Sequence, residues 1–99
     1  MGVRVVRANG ELAIDVGPSF LPDDARAVCE MLELLGPGMR AMIDFGRVRD
    51  CHDVALSLLA REIATGRARV MLRGTSQHQQ RLLRYLGVEV SPPDRTDLA

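Results

Sequence analysis

MRAMIDFGRVRDCHDVALSLLAREIATG, residues 39–66, decides how this chain folds. Ala41, Ile43 and Phe45 alternate with Met42 and Asp44, the period of a strand with one buried face. Leu56, Leu59, Ala60 and Ile63 then recur at i, i+3, i+4 and i+7, the period of one helix face. The unit therefore reads strand, short polar turn, amphipathic helix. Asp53 stands where the helix begins, so its carboxylate is expected to accept a bond from a free N–H of the first turn and to meet the positive end of the helix dipole. Gly66 is expected to close the helix as a left-handed cap. The turn Arg47 to Asp53 is the first place to look for a specific function.

Toward the N-terminus, Asn9-Gly10 is a two-residue turn between Val3–Ala8 and Glu11–Val16, which predicts a β-hairpin. Leu12, Ile14 and Val16 point one way, and Ala13 and Asp15 the other. Gly17 to Phe20 reads as a loop, and Pro22 followed by Asp23 and Asp24 opens a helix with the stripe Ala25, Val28, Leu32, Leu35. Cys29 lies on that stripe as a small core residue. Gly36-Pro37-Gly38 ends it. Toward the C-terminus, Arg67–Arg73 reads as a strand with Val70 and Leu72 opposite Arg69, Met71 and Arg73. Ser76 with Gln79 forms a capping box for a last helix that buries Leu82, Leu83 and Leu86 and ends at Gly87. Val88 to Val90 is expected as a short final strand, and residues 91–99 as a polar tail.

The predicted order is β-β-α-β-α-β-α, a single α/β domain over residues 1–90 with a mostly parallel sheet and an N-terminal antiparallel hairpin. Asp15, Arg40, Asp44, Arg69 and Arg73 stand on the second face of three strands, so helices are expected mainly on one face of the sheet. Val6, Met42 and Met71 fall on the open face, as an apolar patch suited to a homodimer or as scattered surface hydrophobes.

Composition narrows the function classes. The 99 residues are 46% hydrophobic, enough for one core, and carry 13 cations and 13 anions. With no net charge and no basic block, nucleic acid is not expected as a partner. The N-terminus lacks the apolar core of a signal peptide and no run approaches the ~20 apolar residues of a membrane span, so a cytoplasmic chain without membrane insertion is predicted. Cys29 and Cys51 form no metal-ligand spacing, and reduced thiols are expected.

Candidate chemistry is sparse. Cys51-His52-Asp53 holds the residue types of a nucleophilic site, but three consecutive residues on a tight turn point apart, and His78 does not complete a zinc set. The chain is therefore read as non-enzymatic, with no metal and no cofactor. Thr75 and Ser76, at a helix start, are a weak anion-binding candidate beside their ordinary capping role. The expected recognition surface is the edge where Arg49, His52, Asp53, Val54, Leu58 and Arg61 gather, with Val54 and Leu58 either docking a partner or widening the core contact.

Leu12 to Val88 resembles a STAS domain, the module of anti-sigma factor antagonists and of sulfate transporter tails. The resemblance lies in Ala41-Met42-Ile43-Asp44-Phe45, in the loop and helix Val48 to Ile63, in Ala68 to Leu72 with Gly74-Thr75-Ser76, and in Gln80 to Gly87. It implies a protein-interaction module whose partner is a GHKL-type anti-sigma factor kinase, or alternatively the STAS subunit of a transport or signalling complex contacting an ATPase. A nucleotide or small-ligand sensor is the reading from another class. In the family the turn before the second helix reads Asp-Ser-Ser-Gly, and its first serine is phosphorylated. Here His52, Asp53, Val54 and Ala55 occupy those positions, so Asp53 stands in the phosphosite and the acceptor hydroxyl is missing. Asp53 then imitates a phosphoserine in part, with one charge where phosphate carries ~1.5 to 2, or serves only as a cap. The family's Gly-Glu-Leu-Asp phrase is replaced by Pro18-Ser19-Phe20-Leu21, and the tail after Val90 is expected in place of the family's C-terminal helix.

Overall fold

Alternation in the strands and i, i+3, i+4 spacing in the helices sort the side chains into one helix-covered layer. A computed structural model describes residues 2–8 and 10–88. The elements run β1 (Val3–Ala8), β2 (Glu11–Val16), β3 (Ser19–Phe20), α1 (Pro22–Glu33), β4 (Arg40–Asp44), β5 (Asp50–Cys51), α2 (Asp53–Thr65), β6 (Arg69–Arg73) and α3 (Gln77–Tyr85). Four strands form a mixed sheet in the order β1-β2-β4-β6, and β3 and β5 form a separate pair. The hairpin β1–β2 is antiparallel, and β2–β4 and β4–β6 are parallel. The domain is thus a small α/β fold with helices packed on one face of the sheet, as the alternation predicts.

Leu12, Ile14 and Val16 of β2, Ala41 and Ile43 of β4, Phe45 just beyond it and Leu72 of β6 all point into the core. Ala25, Val28 and Leu32 of α1, Leu56, Leu59 and Ala60 of α2, and Leu83 of α3 meet them. α1 packs along α2, and α2 touches α3. Each fully buried leucine or isoleucine contributes about 1.5–3 kcal/mol relative to an exposed one, so this layer dominates the stability. On the opposite face Glu11, Ala13, Asp15, Arg40, Arg69, Met71 and Arg73 stay exposed.

Three expectations are corrected. Gly17 to Phe20 is not wholly a loop, because Ser19 and Phe20 pair with Asp50 and Cys51. Phe20 is fully buried, its ring edge-on to Phe45 with centroids 5.1 Å apart. A buried aromatic and two shared backbone bonds are enough to make a strand of two residues, too short to show a period. Gly66 is not left-handed but extended, at φ −80° and ψ 171°. A Cβ there would lie 2.8 Å from the Glu62 carbonyl oxygen that accepts the Gly66 N–H, so the glycine serves close approach and not a positive φ. Asp53 is the first helical residue and not the N-cap, which is His52.

The hairpin and the capping box of α3 follow the sequence reading, whereas the final strand expected from Val88 is a fourth correction. Gly10 has φ +77°, while Asn9 lies outside the described residues. The Ser76 hydroxyl accepts the Gln79 N–H at 3.1 Å and the Gln79 side-chain oxygen accepts the Ser76 N–H at 2.8 Å. Gly87 turns the chain at φ +93°, and Val88 is not a strand residue: its N–H donates back to the Leu83 carbonyl at 2.9 Å. The remainder of the expected final strand, Glu89 and Val90, and the tail 91–99 lie outside the described residues.

Candidate functional site

Parallel strands end on the same side of a sheet, which gathers the loops after β2, β4 and β6 on one edge. Here those loops are tied backbone to backbone. The Pro18 carbonyl accepts the N–H of Arg49 at 2.7 Å and of Asp50 at 3.1 Å, and the Phe20 carbonyl accepts the His52 N–H at 3.0 Å. The Phe45 N–H donates to the Arg73 carbonyl at 2.7 Å, and the Asp44 carboxylate accepts the Gly46 N–H at 2.7 Å. Gly17, at φ +122°, lies so close to Arg47 that a Cβ would sit 3.0 Å from its carbonyl. Gly74, at φ +73°, leaves only 2.6 Å between a notional Cβ and the Gly46 nitrogen. The edge is a fixed platform, and the turn into α2 is presented on it.

Along that turn, Arg49, His52, Asp53 and Val54 are exposed, Val54 by 51%. No side chain caps α2: His52 supplies only its backbone, whose carbonyl accepts the Leu56 N–H at 3.2 Å. Asp53 adds its charge to the dipole but makes no cap bond. Its carboxylate lies 3.7 Å from the His78 Nε2 in the first turn of α3, with both side chains well exposed. Sequence reasoning missed this pairing, because nothing in the spacing of residues 53 and 78 reveals that α2 and α3 begin side by side.

Leu58 and Arg61 follow Val54 one and two turns along α2. They line a shallow groove of about 380 Å³ against α1, with Arg26, Cys29, Glu30, Glu33, Glu62 and Thr65. Leu58 packs against the core, and its carbonyl lies 3.6 Å from the Cys29 thiol. The six residues named for recognition thus form two groups: Arg49, His52, Asp53 and Val54 around the α2 start, and Leu58 with Arg61 in the helix–helix groove. In that groove burial, reinforced by a hydrogen bond to Glu33 and by its charge, holds the Glu62 carboxyl above its ordinary pKa.

The cysteines are the opposite of activated nucleophiles. Burial, with Glu62, Glu33 and Glu30 nearby, pushes the Cys29 thiol up to about 11. Burial, with Asp53 and Asp50, does the same to Cys51, again to about 11. Both are protonated at neutral pH. Cys51, His52 and Asp53 do not converge: the Cys51 thiol faces the His52 carbonyl at 3.9 Å, and the Asp53 carboxylate turns to His78. No group of three or more His, Cys, Asp or Glu side chains among the described residues is arranged to hold a metal ion.

At the start of α3 the Ser76 hydroxyl is engaged as the cap acceptor, and the Thr75 carbonyl accepts from the Gln80 side chain at 3.0 Å. The Thr75 hydroxyl is buried without a hydrogen-bond partner and is closed to solvent. The Ser76 and Gln79 N–H groups of this turn are likewise taken, within the capping box.

No family model matches this chain, and no curated protein does. Solved structures do match, among them one titled "The overall structure of SLC26A9", at 12% identity and a TM-score of 0.45, covering 77% of this chain and 16% of that one. The chain therefore spans a small part of that protein's length. No helix among the described residues is long and apolar enough to cross a membrane.

Proposed function

We propose that this chain is a protein-interaction module of STAS type, binding a GHKL-type anti-sigma factor kinase or a related ATPase through the start of α2. The observation that carries the reading is the exposed Val54 beside Asp53 on a backbone-locked edge. An apolar side chain about half in water at a helix start without a side-chain cap suits a desolvating contact rimmed by Arg49 and Asp53. Aspartate in place of a phosphorylatable serine makes the module a constitutive binder whose state is not set by the kinase.

The test is calorimetric titration with the cognate kinase. Wild type binds, and Val54→Arg weakens binding at least tenfold, about 1.4 kcal/mol or more, with an unchanged circular dichroism spectrum. Incubation with the kinase and ATP leaves the chain unlabelled. Absence of binding, or an unaffected Val54→Arg, refutes the reading. Phosphate incorporated at Ser57, Thr65, Thr75 or Ser76 refutes constitutive control. A rise in melting temperature with nucleotide alone favours the sensor reading instead.

A further inference from the structure

β1 is one edge of the four-stranded sheet, with β2 on one side of it and no described strand on the other. Its backbone bonds divide by parity. The register with β2 runs unbroken from Val3 opposite Val16 to Ala8 opposite Glu11, and one step beyond it the Gly17 N–H donates to the Gly2 carbonyl at 2.8 Å. Opposed residues of an antiparallel pair alternate between exchanging both bonds and exchanging none. Arg4 and Val6, in phase with Gly2, therefore turn their N–H and C=O groups to β2, and Val3, Val5 and Arg7 turn theirs to the free edge. No described group bonds those outward donors and acceptors.

An edge of six residues without a proline or a bulge is an open template for another strand. Its side chains decide which strand. Val5 is 41% exposed on the face that carries the helices and Val6 64% exposed on the other, so an added strand finds apolar contact on both. Arg4 and Arg7, also on opposite faces, are exposed, and among the described residues neither guanidinium has an ion pair or a hydrogen bond. Asp15 stands across the register from Arg4, whereas Arg7 faces Leu12. β1 itself holds no acid. Two cations and no anion turn away a second copy, which would bring its own arginines to the edge, and admit a strand that carries carboxylates.

We propose that β1 takes an extended acidic peptide of a partner protein as an added antiparallel strand, with two apolar residues against Val5 and Val6 and a carboxylate on either side of them against Arg4 and Arg7. The spacing follows from the strand. Arg4 and Arg7 are separated by the two valines and lie on opposite faces, so the peptide reads acid, apolar, apolar, acid, with its own carboxylates on opposite faces. Its backbone answers the free groups of Val3, Val5 and Arg7 and supplies the affinity, while the arginines select the sequence. Asp15, one strand further in, moderates the attraction at Arg4 and leaves Arg7 the stronger determinant. No residue of the α2 start is used.

Fluorescence anisotropy of the fluorescein-labelled, end-blocked peptide Thr-Glu-Val-Ile-Glu-Thr, titrated with the chain up to about 1 mM, tests the proposal. Wild type binds it, and lysine in place of both peptide glutamates lowers the affinity about tenfold or more. Val5→Pro removes one outward N–H and no bond to β2, so it weakens binding about tenfold or more with a native circular dichroism spectrum. Arg4→Glu combined with Arg7→Glu reverses the preference, and the lysine peptide then binds more tightly than the glutamate one. Hydrogen exchange reads the register: in the free chain the amides of Val3, Val5 and Arg7 exchange faster than those of Arg4 and Val6, and the peptide slows the first three. Val54→Arg changes none of these results. No binding at about 1 mM, a complex indifferent to Val5→Pro, or protection confined to other amides overturns the proposal, as does a wild-type dimer that protects the same three amides without peptide.

Discussion

The starts of α2 and α3 lie side by side on the same edge, yet only one of them is finished. At α3, Ser76 and Gln79 close the first turn reciprocally, and Gly74 brings the preceding loop into backbone contact with Gly46. At α2, His52 offers no side-chain acceptor, and Val54 is left in water. The chain closes one helix start with its own side chains and leaves the adjacent one without a side-chain cap. The contrast stands beside the exposed Val54 in the proposal that the α2 start is a recognition site.

Four substitutions break or sharpen the contrast. Gly74→Ala has the largest expected effect: a positive φ and a Cβ driven into the Gly46 backbone cost about 1–3 kcal/mol in urea denaturation, with the loss carried by the α3 side of the edge. Ser76→Ala removes one half of the capping box and costs ~1 kcal/mol, since the Gln79 N–H loses its acceptor. His52→Ser works in the opposite direction. His52 already has the extended backbone of a cap, at φ −86° and ψ 134°, so a serine there stabilises the fold by about 0.5–1 kcal/mol. Destabilisation by His52→Ser would show that the first turn of α2 gains nothing from a side-chain acceptor.

The smallest effect belongs to the groove behind α2. Because Glu62 holds its proton more tightly in the folded chain than in the unfolded one, its contribution is complete in acid and vanishes as pH rises through its raised pKa. Glu62→Gln removes that dependence, and at neutral pH it gains a few tenths of a kcal/mol at most, given how much of the carboxyl remains in water. Thermal melts from acid to neutral pH report it as a flatter profile than wild type, and an identical profile would place the titration elsewhere.

Most of the fold is legible because its signals are local. Asn9-Gly10, the alternation in residues 41–45 and the Ser76–Gln79 pair each declare a conformation within a few residues, and the sheet and the final helix follow them. What was hidden depends on partners distant in sequence. β3 and β5 have two residues each and exist through bonds from the Asp50 region to Pro18, and Phe20 is core only because Phe45 is there to meet it. The candidate site divides in the same way. The exposure of Asp53 and Val54 follows from helix phase, whereas the Asp53–His78 approach depends on how α2 and α3 pack. Leu58 sits on the boundary: its spacing places it off the α2 stripe, open to docking or to a wider core contact, and its seat beside Cys29 depends on how α1 packs.

The glycines of the Gly36-Pro37-Gly38 connection contrast with Gly17 and Gly74, because the space where a side chain would grow from either of them is empty. Pro37 and Gly38 are exposed, and the segment joins α1 to β4 at the end of the sheet away from the locked loops. An affinity tag or a fluorescent reporter therefore belongs at that joint, at the opposite end of the sheet from the start of α2.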